Sequence, residues 1–304
     1  MNRWLLFGLL SWFSCCSAET PPANTDGVPM ITSDRFRPFG DNFVLVNQMK
    51  NNGWAGTDER ALRVQYGLRY DLWGRPPAEV FFSYTGSFDF YWWLHETRYS
   101  GPVINRLSNP ALHVRYHEGA GGGWFAGASL EHESNGQVQD VDGQQGASQA
   151  QAAYAAGNRA FFDSVSRGAD FVAVEGHVDD GRFGLPLAID VKARVYLDQD
   201  YNITWGPLSR LGTKLSDYNR LSLTFEKALP IGTIEAVVHL GDRGLSTSSQ
   251  DLVYQVPDAC NRLPVVLWYH HGPMNTLSNY TQRQDSWGIG LRFSRDGQAN
   301  ICGG

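Results

Sequence analysis

The pentapeptide His132-Glu133-Ser134-Asn135-Gly136 holds the residue types that ester hydrolysis needs, at a spacing an extended strand would exploit. Side chains at i and i+2 of a strand point to the same face, so His132 and Ser134 would stand beside each other. The imidazole can then take the hydroxyl proton as the oxygen attacks an ester carbonyl, and return it to the leaving alcohol. A third side chain from a neighbouring strand, a carboxylate or an amide, must fix the imidazole tautomer. Gly136 offers a backbone N–H unshielded by a side chain, suited to an oxyanion. Alone, His-x-Ser is a short pattern that chance produces often. A zinc reading of Glu131-His132-Glu133 is weaker still, because strand neighbours face opposite ways and no further His stands at ligand spacing. His270-His271 reads as solvated polar surface, and no Gly-x-Ser-x-Gly elbow or phosphate-cradling glycine loop occurs.

The elements that must position these residues are strands. The 304 residues carry 16 Phe, 13 Tyr and 10 Trp, too many for a disordered chain, and no apolar run is long enough for a membrane helix. From Phe43 onward, segments of about ten residues alternate apolar and polar, broken by Gly, Pro, Asn and Asp clusters, as in a transmembrane β-barrel. Twelve such segments are counted: 43–49, 61–72, 78–85, 111–117, 124–134, 169–178, 188–197, 219–227, 233–240, 251–256, 265–270 and 286–293. An even number suits a closed antiparallel barrel. In 61–72, Leu62, Val64, Tyr66, Leu68, Tyr70 and Leu72 share one face, and Arg63, Gln65, Arg69 and Asp71 the other. A soluble sandwich alternates in the same way with its apolar face inward. The aromatics Phe81, Phe82, Tyr84, Phe88, Phe90, Tyr91, Trp92 and Trp93 favour the barrel, because they cluster near strand ends as interfacial girdles do.

Residues 1–18 read as a signal peptide, with Arg3, an apolar stretch from Trp4 to Phe13 and a small-residue cleavage site ending at Ala18. Cys15 and Cys16 would leave with it; the remaining Cys260 and Cys302 enter a compartment that permits a disulfide. The net charge of −6 argues against a nucleic-acid partner. Residues 19–42 read as a loosely structured N-terminal lead, 43–293 as the barrel and 294–304 as a tail. The segment 137–165 breaks the strand rhythm; its Ala/Gln-rich part favours a short helix or a mobile loop.

His132 to Gly136 resembles the His-x-Ser-Asn-Gly signature of the bacterial outer membrane phospholipase A family. Other stretches are similar in the same order: Arg37 to Phe43, Ser83-Tyr84-Thr85 with Trp92-Trp93, Ser166-Arg167-Gly168-Ala169-Asp170, Val191-Lys192, Tyr269 to Gly272, Leu277 to Tyr280 and Gly288 to Leu291. The resemblance implies a twelve-stranded outer membrane barrel that hydrolyses acyl esters of membrane phospholipids with Ca2+, as a homodimer. It implies Ser134 as nucleophile, His132 as base, the N–H of Gly136 as oxyanion donor, and Ca2+ held by the carbonyl of Gln137, the hydroxyl of Ser166, Ser100 and waters. The third catalytic member would be Asp170, where the family has Asn; Asn158, next to Arg159, competes for that role. His132 and Asp170 lie 38 positions apart because of the 137–165 insertion, which either gates the site, adds Asp140 and Asp142 as Ca2+ ligands, or is plain surface loop. Gly86 stands where the family places a membrane-buried polar residue that helps dimerisation. The reading from another class is an inactive barrel with a structural or passive pore role.

Overall fold

The computed structural model describes residues 35–51, 58–75, 77–91, 103–118, 123–137, 143–158, 161–162, 164–199, 213–257, 264–277 and 280–294. The signal peptide, most of the lead, Trp92, Trp93, Ser100, Asp140, Asp142, Arg159, Cys260, Cys302 and the tail beyond Ser294 lie outside the described residues.

Twelve strands form a closed antiparallel barrel: β2 (Asn42–Asn51), β3 (Asp58–Arg75), β4 (Ala78–Tyr91), β5 (Val103–His117), β6 (Trp124–Ser134), β7 (Gly168–Val178), β8 (Ala188–Gln199), β9 (Leu221–Leu229), β10 (Gly232–Gly241), β11 (Gly244–Gln255), β12 (Val265–Gly272) and β13 (Gln284–Ser294). Each pairs with the next in sequence, and β13 pairs with β2, so these twelve described strands close into a ring in which each has a partner on both sides. A three-residue strand, β1 (Phe36–Pro38), adds to β3 opposite Leu68–Tyr70. Each of the twelve segments expected from the alternation falls on a strand, although Asn219, Arg220 and Val256 lie just outside β9 and β11. Four run well beyond the pattern: β3 extends at both ends, and β4, β5 and β11 extend because Gly86, Asn109-Pro110 and the polar start of β11 read as breaks. The insertion contains one helix, α1 (Gly143–Ala155).

The polarity of the alternation identifies the solvent outside. Leu68, Leu72, Leu112, Val114, Val174, Val195, Ile289 and many other large apolar side chains are exposed, whereas Arg63, Arg69, Asp89, Arg115 and Glu175 are buried within the ring. An apolar outside around a polar inside fits a barrel in lipid. The interior is crossed by ion pairs between strands that are not neighbours, including Arg115 with Glu175 (3.0 Å) and Arg292 with Glu235 (2.9 Å). Phe39, from the end of the lead, enters and meets Phe81 and His113. Glu175→Ala would leave the Arg115 guanidinium buried without this carboxylate, and is expected to lower stability by about 3 kcal/mol in denaturant titration of the folded barrel.

Two expectations are corrected here. Phe81 is not a girdle residue: it shares parity with Glu79 and Ser83 and is buried inside, with the Arg69 guanidinium 4.1 Å from its ring centroid. His270 is not solvated surface: β12 turns it inward, where it lies 1% exposed and 3.0 Å from Asp251. Its neighbour His271 is partly exposed and bonds Asp285.

Candidate active site

Strand β6 sends Ala126, Ala128, Leu130 and His132 to the lipid-facing side and buries Ser129 and Glu131 beneath them. Ser134, two positions after His132, continues the outward row. On the adjacent strand β7 the outward row is Asp170, Val172 and Val174. Register makes His132 the direct partner of Asp170, and Ser134 that of Gly168. The 38-residue separation therefore closes to a single cross-strand pair, since the insertion leaves from the end of β6 and returns at the start of β7. His132 Nδ1 and Asp170 Oδ1 stand 2.8 Å apart, with the two side chains 50% and 52% exposed. A carboxylate at Nδ1 favours the tautomer with its proton there, leaving the Nε2 lone pair free to accept another. Below the pair, Glu131 is anchored by Ser129 at 2.6 Å and Lys192 at 2.5 Å, which fixes the strand that carries His132.

A cavity of about 370 Å³, where β6 ends and β7 begins, is lined by His132, Ser134, Gly136, Gln137, Ser166, Asp170 and Asp198. Gly136 has φ +61°, a left-handed conformation that a side chain would strain. A second, apolar groove of about 520 Å³ runs from His132 and Asp170 between Phe82, Pro110, Leu112, Leu130 and Leu197.

Of the residues singled out in the sequence, His132, Ser134, Gly136, Gln137, Ser166 and Asp170 share one cavity. Asn158 is elsewhere: its side-chain oxygen accepts the N–H of Phe161 at 3.2 Å within the insertion. Asp198 was not legible. A register shift in β8 places it opposite Asp170, in both the cavity and the apolar groove. The only sequence signal is an acidic residue immediately after the apolar Leu197. A further Ser–His–carboxylate alignment, Ser83–His113 at 2.8 Å and His113–Glu175 at 3.1 Å, lies inside the barrel. Ser83 is fully buried and His113 is 1% exposed beneath the Phe81 ring, so no substrate reaches it and its role is structural.

Among solved structures, the chain is similar to outer membrane phospholipase A from Escherichia coli, with TM-score 0.61 and 15% identity over 87% of this chain and 97% of that one. The chain has that protein's barrel fold. The dimer of Salmonella typhi outer membrane phospholipase with bound calcium gives TM-score 0.60 and 15% identity over 85% of this chain and 92% of that one. No family model and no curated protein sequence matches the chain. Together with the apolar exterior, the fold makes this an outer membrane protein.

Proposed function

We propose that the protein is a Ca2+-dependent outer membrane phospholipase that hydrolyses the acyl esters of glycerophospholipids at either position, and of lysophospholipids. The observation that carries this reading is the outward-facing His132–Asp170 pair, with Ser134 on the same face of β6 and an apolar groove leading from it. A hydrolase acting on bilayer lipid needs its nucleophile on the lipid side and a lane for an acyl chain. Phe82, Leu112, Leu130 and Leu197 supply the lane without drawing the chain through water.

Ser134 Oγ attacks the ester carbonyl while His132 Nε2 takes its proton, and Asp170 holds the resulting imidazolium at Nδ1. The N–H of Gly136 donates to the oxygen that becomes negative. The C–O bond then breaks, His132 protonates the departing alcohol, and the acyl group remains on Ser134. Water, deprotonated by His132, releases the fatty acid and restores the hydroxyl.

The residues lining the cavity offer oxygens that suit a hard cation: a backbone carbonyl at Gln137, a hydroxyl at Ser166 and carboxylates at Asp170 and Asp198. We assign Ca2+ to Gln137, Ser166 and Asp198, and the family resemblance adds Ser100, which lies outside the described residues; when bound, Ca2+ would polarise the ester carbonyl. A homodimer through the lipid-facing side belongs to the same reading, with one difference: the Tyr66 ring lies so close over Gly86 that a Cβ there would come within 2.6 Å of it. A passive pore is disfavoured by the ion pairs and by Phe39 across the interior.

A fluorophosphonate that reacts only with activated serines tests the nucleophile. The folded protein is expected to be labelled at Ser134 and His132→Ala to remain unlabelled. Label elsewhere, or none on the folded protein, would contradict the assignment.

A further inference from the structure

Asn135 is fully buried between the two connections that carry the site, and its side-chain amide serves both. Its Oδ1 accepts the N–H of Arg167 at 2.9 Å and the N–H of Gln137 at 3.3 Å, and its Nδ2 donates to the carbonyl of Val165 at 2.8 Å. Its own N–H donates to the carbonyl of Arg167 at 3.0 Å. Gly136 and Gln137 follow it directly, and Ser166 lies between two of the residues it grips. The oxyanion donor and two of the oxygens assigned to Ca2+ are thus held in register by one side chain. Only an amide supplies both an acceptor and a donor at this reach: Asp would set a carboxylate against the Val165 carbonyl, and Ala would leave the buried N–H of Arg167 and C=O of Val165 without these partners.

Behind this clamp stands the insertion. Ala147, Ala150 and Ala153 on one face of α1 pack with Phe162 and Val165, both 1% exposed, into a small apolar core separate from the barrel. Its last member, Val165, presents the carbonyl that Asn135 grips. We propose that Asn135 is a positioning residue that locks the Gly136–Gln137 segment to Ser166–Arg167, and that the packed helix of the insertion is the buttress of this lock rather than a lid over the site. The proposal rests on the catalytic reading of Ser134 and Gly136.

The test uses the full chain folded in detergent micelles, as wild type, Asn135→Ala, Asn135→Asp and Phe162→Ala, with unchanged migration of the unboiled protein on a gel as the check of barrel folding. Hydrogen exchange of the Gln137 and Arg167 amides is read first. Asn135→Ala is expected to exchange at least about tenfold faster there, with barrel strands unaffected. Phe162→Ala is expected to move the same amides although it touches none of the bonds of Asn135. Release of fatty acid is read second. Asn135→Ala is expected to lower kcat by about 10- to 100-fold and to raise the Ca2+ concentration for half-maximal rate, with KM little changed. Asn135→Asp, which keeps the acceptor and loses the donor, falls between. Native exchange at Gln137 and Arg167 in Asn135→Ala, or fast exchange with native kcat and Ca2+ dependence, would overturn the proposal. If wild type hydrolyses nothing, the hydrolase reading fails and exchange alone decides the clamp. If Asn135→Ala does not fold, Asn135→Asp and Phe162→Ala decide it by the same readouts.

Discussion

Ser134→Ala is expected to abolish fatty-acid release, with a fall on the order of 10⁶-fold in kcat, the loss seen when a serine hydrolase is stripped of its nucleophile. The barrel should be untouched. Ser134 ends β6 on the lipid-facing side, outside the polar interior that ties the strands together, so removing one hydroxyl there leaves the buried ion pairs intact. The expected result is therefore an inactive protein with wild-type gel mobility before boiling and a wild-type unfolding midpoint. A folded variant with wild-type kcat would remove Ser134 from the mechanism.

The second large effect concerns the partner of the imidazole. Asp170→Ala removes the acceptor 2.8 Å from His132 Nδ1 and is expected to lower kcat by about 10²- to 10⁴-fold, with KM little changed. Asn158→Ala is expected to leave kcat within about twofold, because its side chain only caps a turn of the insertion by accepting from Phe161. Asp170→Asn makes the comparison sharper. Its oxygen can still accept from Nδ1 if the amide turns the right way, and the half-exposed position leaves it room to do so. That variant should fall between wild type and Asp170→Ala. The reverse ranking, with Asn158→Ala crippled and Asp170→Ala active, would transfer the third role to Asn158.

The barrel was legible because lipid outside and ion pairs inside force a period of two on every strand, and the twelve alternating segments carry that period. Parity, however, does not say which side is which. Phe81 and His270 depart from expectation for that reason: an aromatic near a strand end and a His near another look like girdle and surface until the inward row is known. Strand length was hidden where local chemistry imitates a break, as at Asn109-Pro110 in β5. The site was legible as far as it is local. His132 and Ser134 need only a strand between them, whereas the meeting of His132 with Asp170 depends on a cross-strand register that the insertion conceals. Asp198 depends on a register shift in β8, for which the chain gives no signal beyond a carboxylate at the end of an apolar strand. The bonds by which Asn135 spans the two connections have no sequence signal, since two of its side-chain partners are backbone groups 30 and 32 positions away.

The most direct test of the central claim is release of fatty acid from mixed phospholipid–detergent micelles by the refolded barrel, first with Ca2+ and then with excess chelator. The expected result is steady release with Ca2+ that stops on chelation and returns when Ca2+ is restored. No release in either condition, from protein whose unboiled gel mobility shows a folded barrel, would contradict the account and leave an outer membrane barrel without this activity.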